Sequence, residues 1–180
     1  MVFLLYNESI DQSDIFTANK GGVGMEVKVE RLKVNYKTLE EFKQFKEYGL
    51  QELSMLEDLQ GNIIENDSES PFYGIYYGGK LVARMSLYKI DKKYDQYFDP
   101  PQDYLELWKL EVLPDYQRKG FGTALVNFAK SFNMPIKTNA RMKSKEFWIK
   151  NGFVPVRYNV ERDLGENPLI WHPEGIRLKE

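Results

Sequence analysis

The chain has 180 residues, with 25 basic and 27 acidic side chains, a net charge of −2 and 42% hydrophobic residues. This is the composition of a folded protein of about one domain, and it excludes a disordered chain and a strongly basic nucleic-acid-binding protein. Cysteine is absent and histidine occurs once, at His172. Disulfides, thiolate nucleophiles and zinc sites built from Cys or several His are therefore excluded.

The first 24 residues show no sustained hydrophobic period, so we expect no helix or strand there. The apolar run Val2 to Tyr6 is too short for a signal sequence or a membrane span, which favours a cytoplasmic protein that binds no membrane. The loose run Lys20 to Gly24 precedes Met25, and Lys-Gly-Gly can be encoded by a ribosome-binding sequence. We interpret 1–24 as an N-terminal extension, a translated leader before a native start at Met25, and 25–180 as a single domain. An ordinary terminal arm is the alternative.

From Met25 onward the hydrophobic pattern becomes regular. A strand follows at Val27 to Val34, and Thr38 is the expected cap of a helix whose apolar positions continue, after an interruption at Gly49, as far as Gly61. The pair Gly78-Gly79 separates two apolar runs and predicts a β-hairpin. The Tyr-rich segment 91–103 is expected to be a surface connection. Further predicted elements are a strand at Tyr104–Val112, a helix at Gly120–Phe132, a strand at 135–139, a helix at Ser144–Asn151, and two strands, Phe153–Tyr158 and Pro168–His172, around a polar turn.

The stretch between Val112 and Thr123 carries the chemistry. A strand runs into Pro114, and a basic loop with Gly120 and Gly122 then opens a helix, an arrangement suited to binding a pyrophosphate. A Walker A loop is excluded because no Lys-Ser/Thr follows the glycines. A dinucleotide fingerprint would need glycine at position 125, which is Leu125.

The pattern Gln117, Gly120 and Gly122, after a strand with Val112, resembles motif A of the GNAT superfamily of acetyl-coenzyme A-dependent N-acetyltransferases. The run Phe147 to Phe153 is similar to the second helix of that family. The segments Glu26–Arg31 and Tyr48–Gln60 resemble the bacterial YlbP-type subgroup. The resemblance implies an α+β fold with helices on both faces of a mostly antiparallel central sheet, which is splayed at the cofactor site.

The resemblance also implies which residues bind acetyl-CoA. The strand backbone at Leu110, Glu111 and Val112 would bind the pantetheine arm. The loop from Gln117 to Thr123 would bind the pyrophosphate through Gln117, Arg118, Lys119, Gly120, Phe121, Gly122 and Thr123. Asn139 is a further candidate for the pantetheine, although an ordinary turn residue is the simpler interpretation. Trp148 stands at the position where the family usually has a tyrosine that protonates the leaving thiolate, and an indole cannot supply that proton.

Glu106 lies eleven positions before Gln117, where the histone-acetylating branch of the family has its general base. We predict Glu106 as the catalytic base and Glu111, on the opposite face of the strand, as the lesser candidate. A solvent-facing or structurally paired Glu106 is the alternative. Tyr94, Tyr97, Phe98 and Tyr104 are candidates for a wall beside the acceptor.

The function predicted from these residues is transfer of an acetyl group from acetyl-CoA to a primary amine, on a small molecule or a peptide, by direct attack in a ternary complex. Direct attack follows because no cysteine is present to form an acetyl-enzyme. The alternative is an acyl-CoA-binding sensor or scaffold without catalysis. No metal and no nucleic acid are expected, and a homodimer through the last strands is compatible with the pattern.

Overall fold

The computed structural model describes residues 15–20, 23–45, 55–64, 70–141 and 143–179. Contacts divide the chain into two compact units. The N-terminal unit comprises Ser9–Ser86 and Lys109–Phe128. The C-terminal unit comprises Leu87–Trp108 and Ala129–Glu180, together with residues 1–8, which lie outside the described residues.

Ten strands and five helices are present in the described part of the chain. The first half contains β1 Ile15–Lys20, β2 Val23–Arg31, α1 Tyr36–Phe42, α2 Met55–Ile64, β3 Phe72–Tyr77 and β4 Lys80–Ile90. The second half contains β5 Phe98–Asp99, β6 Tyr104–Val112, α3 Phe121–Ser131, β7 Ile136–Asn139, α4 Lys145–Lys150, β8 Val154–Pro155, α5 Val160–Asp163, β9 Pro168–Trp171 and β10 Arg177–Leu178.

The strand order is β1-β2-β3-β4-β6 in the N-terminal unit and β4-β6-β7-β9-β8 in the C-terminal unit, because β4 and β6 run through both. Strands β5 and β10 form a separate antiparallel pair. Pairing is antiparallel between β1 and β2, along β2-β3-β4, and between β9 and its two neighbours. Strands β6 and β7 pair in parallel. The mixed, mostly antiparallel α+β architecture is thus confirmed.

The predicted β-hairpin is formed by β3 and β4. Gly78 and Gly79 connect the strands with φ of 58° and 77°, the left-handed values that a two-residue hairpin turn with positive φ at both positions requires. Register pairs Tyr77 with Lys80 across this turn. Glycine is favoured at both positions because a side chain would be strained there.

Three expectations for the first 64 residues are wrong. A strand, β1, lies before Met25, and β2 already begins at Val23. The cap of α1 is Asn35 rather than Thr38, because the Asn35 side chain accepts hydrogen bonds from both the amide and the hydroxyl of Thr38. Helix α2 passes through Gly61 and continues to Ile64, since one glycine costs a helix only about 1 kcal/mol. The predicted helical positions at 46–54 lie outside the described residues.

The second half also differs from the expectation in three places. Segment 91–103 is more than a surface connection, because it contains β5 and buries Tyr97 and Phe98. The predicted polar turn holds the short helix α5, which begins at Asn159 because that side chain accepts hydrogen bonds from two amides of the first turn. Strand β10 was not predicted, since two residues give too short a pattern.

Each unit has its own hydrophobic core. In the N-terminal unit Phe42 of α1 packs edge-on against Phe72 of β3, with ring centroids 5.4 Å apart. The buried residues of that cluster are Leu32, Leu39, Phe42, Phe45, Met55, Leu59, Phe72, Leu81 and Leu113. The C-terminal unit buries Ile90, Tyr97, Phe98, Tyr104 and Ile170. Among the described residues, no helix has the length and apolar character to cross a membrane.

Candidate functional site

The predicted pyrophosphate loop lies in the N-terminal unit between β6 and α3. Leu113 anchors the end of β6, because its amide donates to the carbonyl of Val82 on β4 at 2.9 Å. A single 3-10 turn at Pro114–Tyr116 follows, and Gln117 then turns back to extended backbone. Arg118 and Gly120 both have positive φ, of 60° and 91°.

This backbone leads into the first turn of α3. The amides of Phe121, Gly122 and Thr123 begin the helix and have no carbonyl one turn earlier to bond, so they point towards whatever lies beyond its end. Partial positive charge from the helix dipole is added to the full charges of Arg118 and Lys119, which are exposed. The loop therefore has the donor set that a pyrophosphate requires.

Gln117 has a structural contact that the sequence did not predict. Its side-chain amide donates to the main-chain carbonyl of Val112 at 3.1 Å. That bond fastens the start of the loop to the last residue of β6. The Gln117 side chain thus fixes the spacing between the strand and the helix.

The predicted pantetheine strand, Leu110 to Val112, is half-buried. Behind it the Glu111 side chain accepts two hydrogen bonds at one oxygen from Arg84 of β4, at 2.6 and 2.9 Å. The Arg84 side chain is fully buried, with its guanidinium 4.3 Å and 4.4 Å from the ring centroids of Phe42 and Phe45. Glu111 is therefore engaged in an ion pair. Arg84 was missed, although a lone arginine in the apolar run of β4 is itself a signal for a buried partner.

Glu106 lies in the C-terminal unit, where β6 pairs with β7. Register places Glu106 directly beside Lys137, and Nζ of Lys137 lies 2.8 Å from Oε1 of Glu106. The Lys137 side chain is 10% exposed and that of Glu106 is 25% exposed. The structure therefore places the predicted base in an ion pair with a nearly buried lysine, which sequence reasoning missed. Only the pairing of two distant strands brings these residues together.

Lys137 is held by several groups of the same unit. Burial disfavours its charge, but the carboxylates of Glu106 and Glu166 and the hydrogen bond to Glu106 outweigh burial and raise the pKa of Lys137 above its ordinary value. Oε2 of Glu166 lies 3.7 Å from Nζ, and the ring centroid of Tyr97 lies 5.5 Å from it. Lys137 is thus a permanent positive charge shared by two carboxylates.

The same carboxylate fixes Asn139 at the end of β7. Nδ2 of Asn139 donates to Oε2 of Glu166 at 2.6 Å. Because a carboxylate only accepts, the nitrogen must face Glu166, and this sets the orientation of the amide. Oδ1 of Asn139 is left buried and accepts no hydrogen bond from any of the described residues. A buried acceptor of this kind is suited to an amide N–H of a ligand.

Trp148 on α4 is buried, at 5% exposure, and packs edge-on against Phe153 with ring centroids 5.1 Å apart. Its surroundings are those of a core residue. Two tyrosines of the same unit are buried as well, and burial raises the pKa of both Tyr97 and Tyr104 above the ordinary value. These phenols hold their protons tightly, so neither is suited to replace the family's tyrosine acid.

Of the four residues predicted as a wall beside the acceptor, Tyr94 is exposed, at 58%. The other three, Tyr97, Phe98 and Tyr104, belong to the core of the C-terminal unit. These three aromatic side chains pack in the core of that unit.

The C-terminal unit also carries an open cleft of about 480 Å³, which none of the predicted site residues lines. In the described part of the chain, no three His, Cys, Asp or Glu side chains are grouped as a metal ion would require.

Comparison with known proteins shows the family to which the chain is similar. The model of the acetyltransferase (GNAT) family matches residues 35–134, more than half of the chain. An uncharacterized N-acetyltransferase of Halalkalibacterium halodurans is 70% identical over 152 residues, which cover 84% of this chain and 90% of that protein. The uncharacterized N-acetyltransferase YlbP of Bacillus subtilis is 74% identical over 147 residues, which cover 82% of this chain and 92% of YlbP.

A solved structure shows the same similarity. The crystal structure of Bacillus subtilis YlbP in complex with coenzyme A matches with a TM-score of 0.71 and 69% identity, and covers 86% of this chain and 99% of that one. The coenzyme A in that structure is bound by YlbP. The fold, the family and the resemblance to the YlbP-type subgroup are confirmed.

Proposed function

Because the chain belongs to the acetyltransferase (GNAT) family, we propose that it transfers an acetyl group from acetyl-CoA to a primary amine on a small molecule or a peptide. The reaction takes place in the cytoplasm, in a ternary complex and without a covalent enzyme intermediate. The crystal structure of YlbP with coenzyme A, at 69% identity, supports acetyl-CoA as the donor.

The observation that carries the proposal is the loop before α3. Arg118 and Gly120 have positive φ, and the helix begins at the next residue. These residues fit an anionic pyrophosphate, because the loop offers N–H donors and two cationic side chains and no carboxylate between Gln117 and Thr123. Oδ1 of Asn139, to which none of the described residues donates, fits an N–H donor such as the amides of pantetheine.

Acetyl-CoA supplies a thioester, and the residues of this chain supply binding and proton transfer. The nitrogen of the amine attacks the thioester carbon, a C–N bond forms, and the C–S bond breaks as the electron pair leaves with sulfur. Glu106 takes the proton that the amine loses, directly or through water. An amine resembling a lysine side chain is unprotonated only about once in 10³ molecules at neutral pH, so a base is needed.

The thiolate that leaves must be stable or be protonated. Trp148 cannot protonate it, and the raised pKa values of Tyr97 and Tyr104 make these residues poor acids. We propose that the thiolate leaves unassisted or is protonated by water.

The loop is tested by acetyl-CoA binding measured by titration calorimetry over a range of salt concentrations. Replacing Arg118 and Lys119 by alanine removes two cations that we assign to the phosphates. We expect the Kd of the double variant to rise about tenfold and to depend less on salt than that of the unaltered protein.

The matched control replaces Lys92 and Lys93, which are exposed lysines of the C-terminal unit, by alanine. This variant loses the same charge and leaves the loop itself unaltered, so its Kd should be close to that of the unaltered protein. An unchanged Kd for the Arg118→Ala/Lys119→Ala variant, or equal losses in the two double variants, would remove the loop charges from acetyl-CoA binding.

A further inference from the structure

We propose that Lys137 is a positioning residue for the transfer, whose ammonium holds the carboxylate of Glu106 in place for the acceptor amine. The proposal rests on the proposed function, since it takes Glu106 as the base. It concerns a residue that touches neither donor nor acceptor and that acts through its contact with Glu106.

The backbone explains why these two side chains meet. Parallel pairing of β6 and β7 makes Leu105 a partner of Ile136 and Glu106 a partner of Lys137. Paired residues on neighbouring strands lie side by side on one face of a sheet. Both strands continue beyond these pairs, to Val112 and Asn139. Lys137 is therefore the last residue of β7 that has a register partner on β6, and that partner is Glu106.

The contacts of Lys137 fix one oxygen of that carboxylate. Nζ donates to Oε1 of Glu106 at 2.8 Å, and we assign the other oxygen, Oε2, to the acceptor amine. Oε2 of Glu166 lies 3.7 Å from Nζ and the Glu166 side chain is 47% exposed, so its share of the attraction is weakened by water. The shorter and less exposed contact, with Glu106, is the stronger one.

The charges around the pair agree with such a role. Glu106 and Glu166 contribute two negative charges and Lys137 one positive charge, while Tyr97 and Tyr104 stay neutral. An arriving ammonium therefore meets a surplus of negative charge. Without Lys137 the Glu106 side chain would lose the hydrogen bond at 2.8 Å that fixes its rotamer.

The first test measures Lys137 itself and needs no acceptor. In the unaltered protein, a ¹⁵N NMR titration of the Lys137 side chain should give a pKa above its ordinary 10.5. In the Glu106→Gln variant burial is no longer opposed by that partner, and we expect the pKa of Lys137 to fall. A pKa of Lys137 that is the same in both proteins would contradict the ion pair.

The second test is kinetic and uses thiol release from acetyl-CoA with whichever amine of a panel the unaltered protein acetylates fastest. Lys137→Met keeps the apolar stem and removes the charge, and it should lower kcat about tenfold while the KM for acetyl-CoA stays the same. Lys137→Arg keeps the charge and should recover most of the loss in kcat.

Lys89→Met is the matched control. Lys89 pairs with Asp103 at 3.3 Å in the same unit, so this change also removes a lysine from an ion pair. The proposal is overturned if Lys137→Met has the same kcat as Lys89→Met while Glu106→Gln is slow. A Glu106→Gln variant with undiminished kcat overturns the role of Glu106 and the present inference together. If Lys137→Met does not fold, the proposal is tested by the NMR titration of Lys137 and by the kcat of the Lys137→Arg variant.

Discussion

At the residue scale, Asp163 shows how a buried charge is stabilised by specific hydrogen-bond donors. The carboxylate of Asp163 is fully buried and accepts hydrogen bonds from Arg162 at 2.7 and 2.9 Å. Further bonds come from the amide of Asn159 and the hydroxyl of Tyr97. The hydrogen bonds from Arg162, followed in size by the opposing effect of burial, hold the pKa of Asp163 below its ordinary value of 3.8.

Asp163→Asn should lower the free energy of unfolding by about 3 kcal/mol at neutral pH, because Arg162 loses its partner. Because the pKa of Asp163 is lowered in the folded protein, its ionised carboxylate stabilises the fold fully at pH values above the ordinary pKa. That stability is lost as the pH falls through the folded-state pKa. The difference between variant and unaltered protein should therefore shrink below about pH 4. Urea unfolding at several pH values measures it.

The control for that experiment is Glu40→Gln, which breaks the exposed ion pair of Glu40 with Lys43. An exposed pair contributes about 0.5 kcal/mol or less. Equal losses of unfolding free energy in the two variants would mean that the contacts of Asp163 stabilise the fold no more than an exposed ion pair does.

Single residues also mark the limit of sequence reasoning at the candidate site. Glu106 was predicted from the resemblance to the GNAT family, which implies a general base eleven positions before Gln117, on the strand that precedes the loop. Lys137 and Glu166 could not be found in that way. The contact of Lys137 with Glu106 depends on how β6 pairs with β7, and the contact of Glu166 with Asn139 depends on how β7 pairs with β9. Both pairings are long-range properties.

At the element scale, the loop between β6 and α3 requires a residue without a side chain at Gly120, where φ is 91°. Gly120→Ala should cost about 1–2 kcal/mol of stability and raise the Kd for acetyl-CoA, since the strained backbone would turn its amides away. Titration calorimetry and thermal unfolding measure the two effects.

Gly175 provides the matched control, with a φ of 87° and no atom within 4 Å of the position that an alanine methyl carbon would take. Gly175→Ala should lose stability to a similar extent and bind acetyl-CoA normally. If both variants bind normally, the conformation of the loop does not determine cofactor affinity.

Strands β4 and β6 are joined by a second buried ion pair, between Arg84 and Glu111. Arg84→Met should lower the free energy of unfolding by about 3 kcal/mol, because it leaves the carboxylate of Glu111 without its cationic partner. The double variant Arg84→Met/Glu111→Leu should be more stable than Arg84→Met alone. Urea unfolding of the three proteins tests this, and a double variant less stable than Arg84→Met would contradict the account.

Elements with a long hydrophobic period were predicted well, and short ones were not. Strand β6 and helix α3 follow their patterns to within a residue, and the β3-β4 hairpin follows its Gly-Gly turn. Strands β5 and β10 have two residues each and exist because they pair with each other. Helix α1 begins earlier than predicted because the Asn35 side chain caps it by accepting hydrogen bonds from the amide and the hydroxyl of Thr38.

At the scale of the whole molecule, the net charge is −2, so no global field attracts the anionic acetyl-CoA. Cofactor binding must depend on local donors, which is why the salt dependence assigned to Arg118 and Lys119 is informative.

Three statements about the whole chain stay predictions: residues 1–24 as a translated leader, a single domain over 25–180, and a dimer through the last strands. N-terminal sequencing of the untagged protein from its host tests the leader, since a product that begins at residue 1 or 2 would exclude it.

The most direct test of the account is turnover. Thiol release from acetyl-CoA is measured with a panel of primary amines, and the acetylated amine is quantified by mass spectrometry. We predict one coenzyme A released for each N-acetylated amine, with initial-rate lines that intersect when donor and acceptor are both varied, as a ternary complex requires. Binding of acetyl-CoA without turnover on any amine would contradict the account and favour an acyl-CoA-binding module.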